Sequence, residues 1–201
     1  MILPKMPPAK AEIAELEPFS GLDLPQIFVV SNQQQAAQAL EELMAERFVG
    51  FDTESKPTFT KGEKSEGPHV LQFSTTKKAF IFQSHVSESH TTVVELLQST
   101  ALTKIGFGLG GDLTQISNRF QIRPGAIVDL DCSFKERGYR NAVGAKSAIA
   151  MLFNRKMTKS KSVTTSNWAA KELSERQLIY AANDAYAAIM VYHALSDFEK
   201  A

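Results

Sequence analysis

The chain has 201 residues, 43% of them hydrophobic, which suits one medium-sized domain with a substantial core and leaves little room for two. Lys plus Arg number 22 and Asp plus Glu number 22, so the formal net charge is zero and no global field attracts a polyanion; any nucleic-acid binding must come from local clustering. The single cysteine, Cys132, excludes an internal disulfide and a Cys-rich zinc site and fits a reducing compartment.

No apolar run approaches the roughly 18 residues of a membrane span, and the N-terminus lacks a basic flank followed by a hydrophobic stretch. The expectation is a soluble, unsecreted protein of the cell interior, cytoplasmic or nuclear, with no membrane partner.

Residues 1–21 carry Pro4, Pro7, Pro8 and Pro18 among Ala, Lys and Glu, a composition that buries little apolar surface, so a flexible tail is expected there and a single domain over 22–201. Residues 27–30 read as a short strand. Ser31 or Asn32 then caps a helix over 33–47, where Ala37, Leu40, Leu43 and Met44 repeat at helical spacing. Residues 48–54 form an apolar strand that ends in Asp52 and Glu54. Side chains alternate faces along a strand, so these two acids leave the same side. Two like charges held close repel, and such a pair is best tolerated where a cation sits between them.

Residues 55–68 are polar and contain Gly and Pro, which predicts a loop beside the strand end, where ligand contacts often lie. Two β-rich runs, 69–75 and 78–83, are separated by a short turn and read as a hairpin. A short amphipathic helix follows over 91–99, and residues 103–107 are counted as the fourth strand. The glycine-rich turn after it opens a helix near Asp112. An acid in the first turn of a helix is favoured by the helix dipole, so Asp112 has a structural explanation of its own. Residues 127–129 are counted as the fifth strand, and helical pattern returns over 132–137 and 145–153. Between residues 154 and 167, Arg155, Lys156, Lys159 and Lys161 occur with no acid among them, which fits either a solvated loop or a phosphate-contacting patch. Ser174 and Gln177 have capping-box spacing before the last long helix, where Tyr180 and Asp184 are neighbours on one face. Strands alternating with helices, one hairpin among them, predict an α/β domain with a mixed five-stranded central sheet.

The ordered motifs Asp52-x-Glu54, Gly106 to Asp112, and Tyr180-x-x-x-Asp184 resemble those of the DEDD 3'-5' exonucleases in their Tyr-bearing branch, the DEDDy type of the RNase H-like superfamily. Phe51 to Glu54, Lys104 to Asp112, Ser166-Asn167-Trp168 and Tyr180 to Tyr186 carry a likeness to the exonuclease domain of the Werner syndrome protein and to stand-alone plant proteins similar to it. RNase D stands a step further away. The likeness runs from about residue 27 to 195.

The resemblance implies an RNase H-like fold and two divalent cations, Mg2+ or Mn2+, since hard ions prefer carboxylate oxygen to nitrogen or sulfur. It implies that Asp52 bridges both ions, that Glu54 and Asp184 complete the first shell, that Asp112 holds the second ion through water, and that Tyr180 orients the attacking water. Glu54 is also expected near the terminal 3' hydroxyl. Lys156, Lys159, Lys161, Asn167 and Trp168 are the candidate nucleic-acid contacts. Two positions depart from the relatives: Val163-Thr164-Thr165 stands where a basic residue often precedes Ser-Asn-Trp, and Val143-Gly144-Ala145 where Trp and Leu precede the central helix.

The implied activity is metal-dependent hydrolysis of phosphodiester bonds from 3' ends, with DNA as substrate and with processivity coming from this domain alone or from a protein partner. The alternatives are RNase D-like trimming of RNA and, from a different class, a catalytically silent nucleic-acid-binding module.

Overall fold

The computed structural model describes residues 4, 6–58 and 65–200, with side chains up to residue 197. The middle of the polar loop, residues 59–64, lies outside these. In chain order the elements are α1 (Lys10–Glu15), β1 (Ile27–Val30), α2 (Gln33–Met44), β2 (Phe48–Glu54), β3 (Val70–Ser74), β4 (Ala79–Gln83), α3 (His90–Gln98), β5 (Thr103–Gly106), α4 (Gly110–Phe120), β6 (Ile127–Asp129), α5 (Leu130–Glu136), α6 (Ala145–Phe153), α7 (Lys161–Thr164) and α8 (Glu175–Lys200). No helix among the described residues is long and apolar enough to cross a membrane.

The sheet has six strands in the order β1-β4-β3-β2-β5-β6, which corrects the five-stranded expectation. All six runs read as strands in the sequence join the sheet, one more than the five counted there, and Ile27–Val30 takes an edge by pairing parallel with Ala79–Gln83; a run of four apolar residues gives no signal of which sheet edge it will extend. β2, β3 and β4 form an antiparallel meander, and β5 and β6 extend it in parallel from β2. The acidic strand is therefore central, paired on both sides.

Helices cover both faces. On one face Phe51, Phe73 and Phe82 pack with Leu43 of α2, Leu96 and Leu97 of α3, and Ile116 of α4. On the other face Ile105 packs with Ala188 and Ile189 of α8, Ala148 and Ile149 of α6, and Leu130 and Phe134 of α5. Both sides of the hairpin strands are buried, which explains why they read as continuous apolar runs rather than alternating ones. Two predicted caps form as their chemistry requires. Asn32 accepts from the Gln35 amide at 2.9 Å, and Ser174 and Gln177 exchange bonds at 3.0 and 3.3 Å.

The stretch expected as a flexible tail carries α1 and an anchored segment. Lys156 N–H donates to the Glu17 carbonyl at 2.8 Å, and Phe19 N–H to the Lys156 carbonyl at 2.9 Å. Leu22 N–H donates to Asn183 Oδ1 at 2.7 Å. Main-chain pairing of this kind leaves no trace in side-chain composition; the apolar anchors Phe19 and Leu22 were the available signal.

Helix α8 lies against β2 through small residues. A β-carbon added at Gly50 would sit 1.8 Å from the Ala185 carbonyl oxygen, so only glycine permits this approach. Gly50, Asp52 and Glu54 share a strand face, and Ala185 follows Asp184, so this contact brings the last acid to the first pair. Gly50→Ala is expected to lower stability by about 3 kcal/mol through overpacking, read by urea unfolding. The same change at Gly144, where an added β-carbon meets nothing within 4 Å, should stay within about 0.5 kcal/mol. Equal effects would show that the β2–α8 approach is not the constraint.

Candidate active site

Asp52, Glu54 and Asp184 come together: one carboxylate oxygen from each lies within 4.8 Å of the others. Strand pairing fixes the first two, and the Gly50–Ala185 approach fixes the third. Asp112 stands at the edge of this group rather than in it, its carboxylate accepting from the Thr53 hydroxyl. Tyr180, one helical turn before Asp184, bonds through its hydroxyl to Thr164 Oγ1 at 2.9 Å. Its ring lies 5.9 Å from that of Trp168.

Burial and mutual repulsion govern the protonation of this cluster. Asp52 is pushed well above the ordinary carboxylate range, first by burial and then by the Asp184 and Asp112 charges. Glu54 is pushed up to about 9, again by burial first and the Asp52 charge second. Asp184 is raised by burial against the opposing pull of Lys159, and Asp112 is raised by burial against the Thr53 hydrogen bond. Burial and the Asp184 charge also raise the Tyr180 phenol. At neutral pH that hydroxyl holds its proton, so it can position a neighbour but not act as a base.

The donor set fits a hard divalent cation. All three converging groups are carboxylates, no His or Cys joins them, and Asp184 Oδ1 is buried without a hydrogen-bond partner among the described residues. Like charges confined in this way are relieved most effectively by a cation that takes several oxygens at once.

The basic run after residue 154 divides among different tasks. Lys156 donates from Nζ to the Ala14 carbonyl at 2.8 Å, Lys161 is exposed at the start of α7, and Lys159 turns inward, its Nζ 2.8 Å from Asp184 Oδ2. Asn167 is exposed, and its Oδ1 caps the following turn by accepting from Ala169 N–H at 3.2 Å. Trp168, expected among the nucleic-acid contacts, is 0% exposed. It packs with Val70, Ile81 and Ala182, so its role is to support the helix beneath Tyr180; an indole this large is more readily buried than offered to a ligand.

Two supporting residues escaped the sequence reading. Asp129 accepts from Gly108 N–H and Leu109 N–H, both at 2.9 Å, and so holds the glycine-rich turn from which α4 carries Asp112. Its signal was an acid ending a short strand, at the position paired with Gly106. Thr53 holds Asp112 from the opposite face of the acidic strand, a contact that no spacing rule reveals.

This sheet, with helices on both faces and three carboxylates converging between its central strand and its last helix, is an RNase H-like α/β fold with an acidic cluster able to hold a metal ion. The chain belongs to the 3'-5' exonuclease family, whose sequence model matches residues 27–198. It is 26% identical over 183 residues to the bifunctional 3'-5' exonuclease/ATP-dependent helicase WRN of Mus musculus, covering 88% of this chain and 13% of that protein. It is 29% identical over 159 residues to a 3'-5' exonuclease of Arabidopsis thaliana, covering 77% of this chain and 54% of that one. The chain thus spans only part of these relatives. Among solved structures, the EXO domain of Aedes aegypti Nibbler superposes with a TM-score of 0.74 at 21% identity, over 89% of this chain and 92% of that one. Escherichia coli RNase D superposes with a TM-score of 0.73 at 20% identity, over 86% and 45%.

The raised carboxylate pKa values set a pH dependence. Glu54, with an ordinary pKa of 4.5 and a folded value of about 9, binds its proton more tightly folded than unfolded. Its contribution is complete below the ordinary value and is lost as pH rises through the folded one. In EDTA, the melting temperature is expected to fall between about pH 5 and pH 9, and Mn2+ should restore most at the alkaline end. A melting temperature that rises over this range in EDTA would contradict the crowded-carboxylate description.

Proposed function

We propose that this chain hydrolyses phosphodiester bonds from nucleic-acid 3' ends with two divalent cations, Mg2+ or Mn2+. Asp52, Glu54 and Asp184 would hold the first, and Asp52 with Asp112, the latter through water, the second. The observation that carries the reading is the convergence of Asp52, Glu54 and Asp184 within 4.8 Å in a chain of the 3'-5' exonuclease family. When bound, the cations supply charge neutralisation at the phosphate and activation of water.

The residues of the chain supply the geometry. Asp52 is raised by the charges of both Asp184 and Asp112 and would be the ligand shared by the two ions. The Tyr180 hydroxyl, raised in pKa and anchored by Thr164, orients the attacking water while keeping its own proton. Glu54, at the strand end, is the acid we assign to the terminal 3' hydroxyl, a contact that would favour chain ends over internal bonds. Lys161 and Asn167, both exposed, are the backbone contacts we assign, with a protein partner supplying processivity.

DNA is the substrate we infer from the resemblance of the three ordered motifs to the exonuclease domain of the Werner syndrome protein. RNA is the second reading, favoured by fold neighbours: E. coli RNase D is an exoribonuclease, and Trypanosoma brucei RNase D is seen with RNA U12. Trimming of matched 3'-labelled DNA and RNA oligomers in Mn2+ separates the two. Asp52→Ala and Asp184→Ala are expected to abolish turnover, and Tyr180→Phe to slow it about a hundredfold with Mn2+ affinity unchanged. Turnover that survives equally in both alanine variants would refute the enzyme and leave a binding module. Loss of Mn2+ binding in Tyr180→Phe would refute the role given to the phenol.

A further inference from the structure

Lys159 occupies an unusual position for a residue of a basic surface loop. Its ammonium bonds to Asp184 Oδ2 at 2.8 Å and lies 5.7 Å from the centroid of the Tyr180 ring. Its side chain is 26% exposed. The loop that bears it is pinned on both sides. Upstream, Lys156 is bonded through its backbone to Glu17 and Phe19 and through its side chain to Ala14. Downstream, α7 is tied to Tyr180 through Thr164. Thr158 and Ser160, on either side of Lys159, are exposed.

We propose that Lys159 is an exchangeable internal counter-ion: its ammonium holds the carboxylate pocket of the metal-free chain, and a divalent cation must expel it to bind. This rests on the metal-centre reading above and assigns a further residue to it. A single ammonium facing three carboxylates leaves most of their repulsion in place, whereas a dication ligates several oxygens at once. The Lys159 charge acts on Asp52 and Glu54 as well as on Asp184, so a dication held by the same three acids would sit close to the ammonium and be repelled by it while the lysine stays seated. A flexible four-carbon stem between two pinned points lets the ammonium swing out while the backbone stays in place. Apparent metal affinity is then the intrinsic affinity multiplied by the fraction of molecules in which the lysine is out.

The test uses the full chain without nucleic acid. Mn2+ binding is followed by calorimetry and by the electron paramagnetic resonance of free Mn2+ in wild type, Lys159→Met and Lys159→Arg. Removal of the competitor should tighten Mn2+ binding about tenfold in Lys159→Met, as for a lysine-out state populated at about one part in ten, while Lys159→Arg should stay near wild type. In wild type, the reaction of Lys159 with an amine-selective reagent, read by mass spectrometry against exposed Lys161, should rise several-fold on Mn2+ saturation. Equal Mn2+ affinity in Lys159→Met and wild type, or unchanged labelling of Lys159, would overturn the exchange while leaving the metal centre standing. Failure of all three proteins to bind Mn2+ would overturn the metal centre itself, and the exchange with it.

Discussion

The site depends on one close approach, that of helix α8 to strand β2 where residue 50 has no side chain. Three carboxylates that repel one another do not assemble by themselves; each is raised in pKa by the place it is held. What holds them is the apolar packing of helices on both faces of the sheet. Small residues, Ala181, Ala182, Ala185 and Ala188, lie along the buried side of α8. They let the helix come near enough that Asp184 meets an acid some 130 positions earlier in the chain. Stability is sacrificed locally at the carboxylates and recovered in the core, a common arrangement at functional sites.

Around the acids lies a ring of less conspicuous support. Asp129 holds the glycine-rich turn, Thr53 turns Asp112, and Trp168 underlies Tyr180. Thr164 meets the Tyr180 phenol through its hydroxyl, so the phenol is fixed by a neutral partner.

The N-terminal segment and the basic loop belong to the same arrangement. Main-chain pairing between residues 17–19 and Lys156, together with the Leu22–Asn183 bonds, ties the start of the domain to the loop and to the helix that together frame Asp184. Three lysines that appear equivalent in sequence, Lys156, Lys159 and Lys161, thus diverge in role. The direction each side chain takes is decided by where its backbone is anchored, and charge spacing along a loop carries no such information.

By itself the sequence determined the order of the strands and of the longer helices, a cap at Ser31 or Asn32 and another at Ser174, the shared strand face of Asp52 and Glu54, and, through the order of its three motifs, the family. These follow from rules of short range, the period of a strand or helix and the hydrogen-bond needs of a helix end. Only the tertiary structure decided that Ile27–Val30 takes the sheet edge beside Ala79–Gln83, that Trp168 is buried, that Asp112 turns to Thr53, and that Lys159 enters the acidic cluster. Each of these depends on contacts between residues far apart in the chain, where the geometry of packing, and not local propensity, selects the partner.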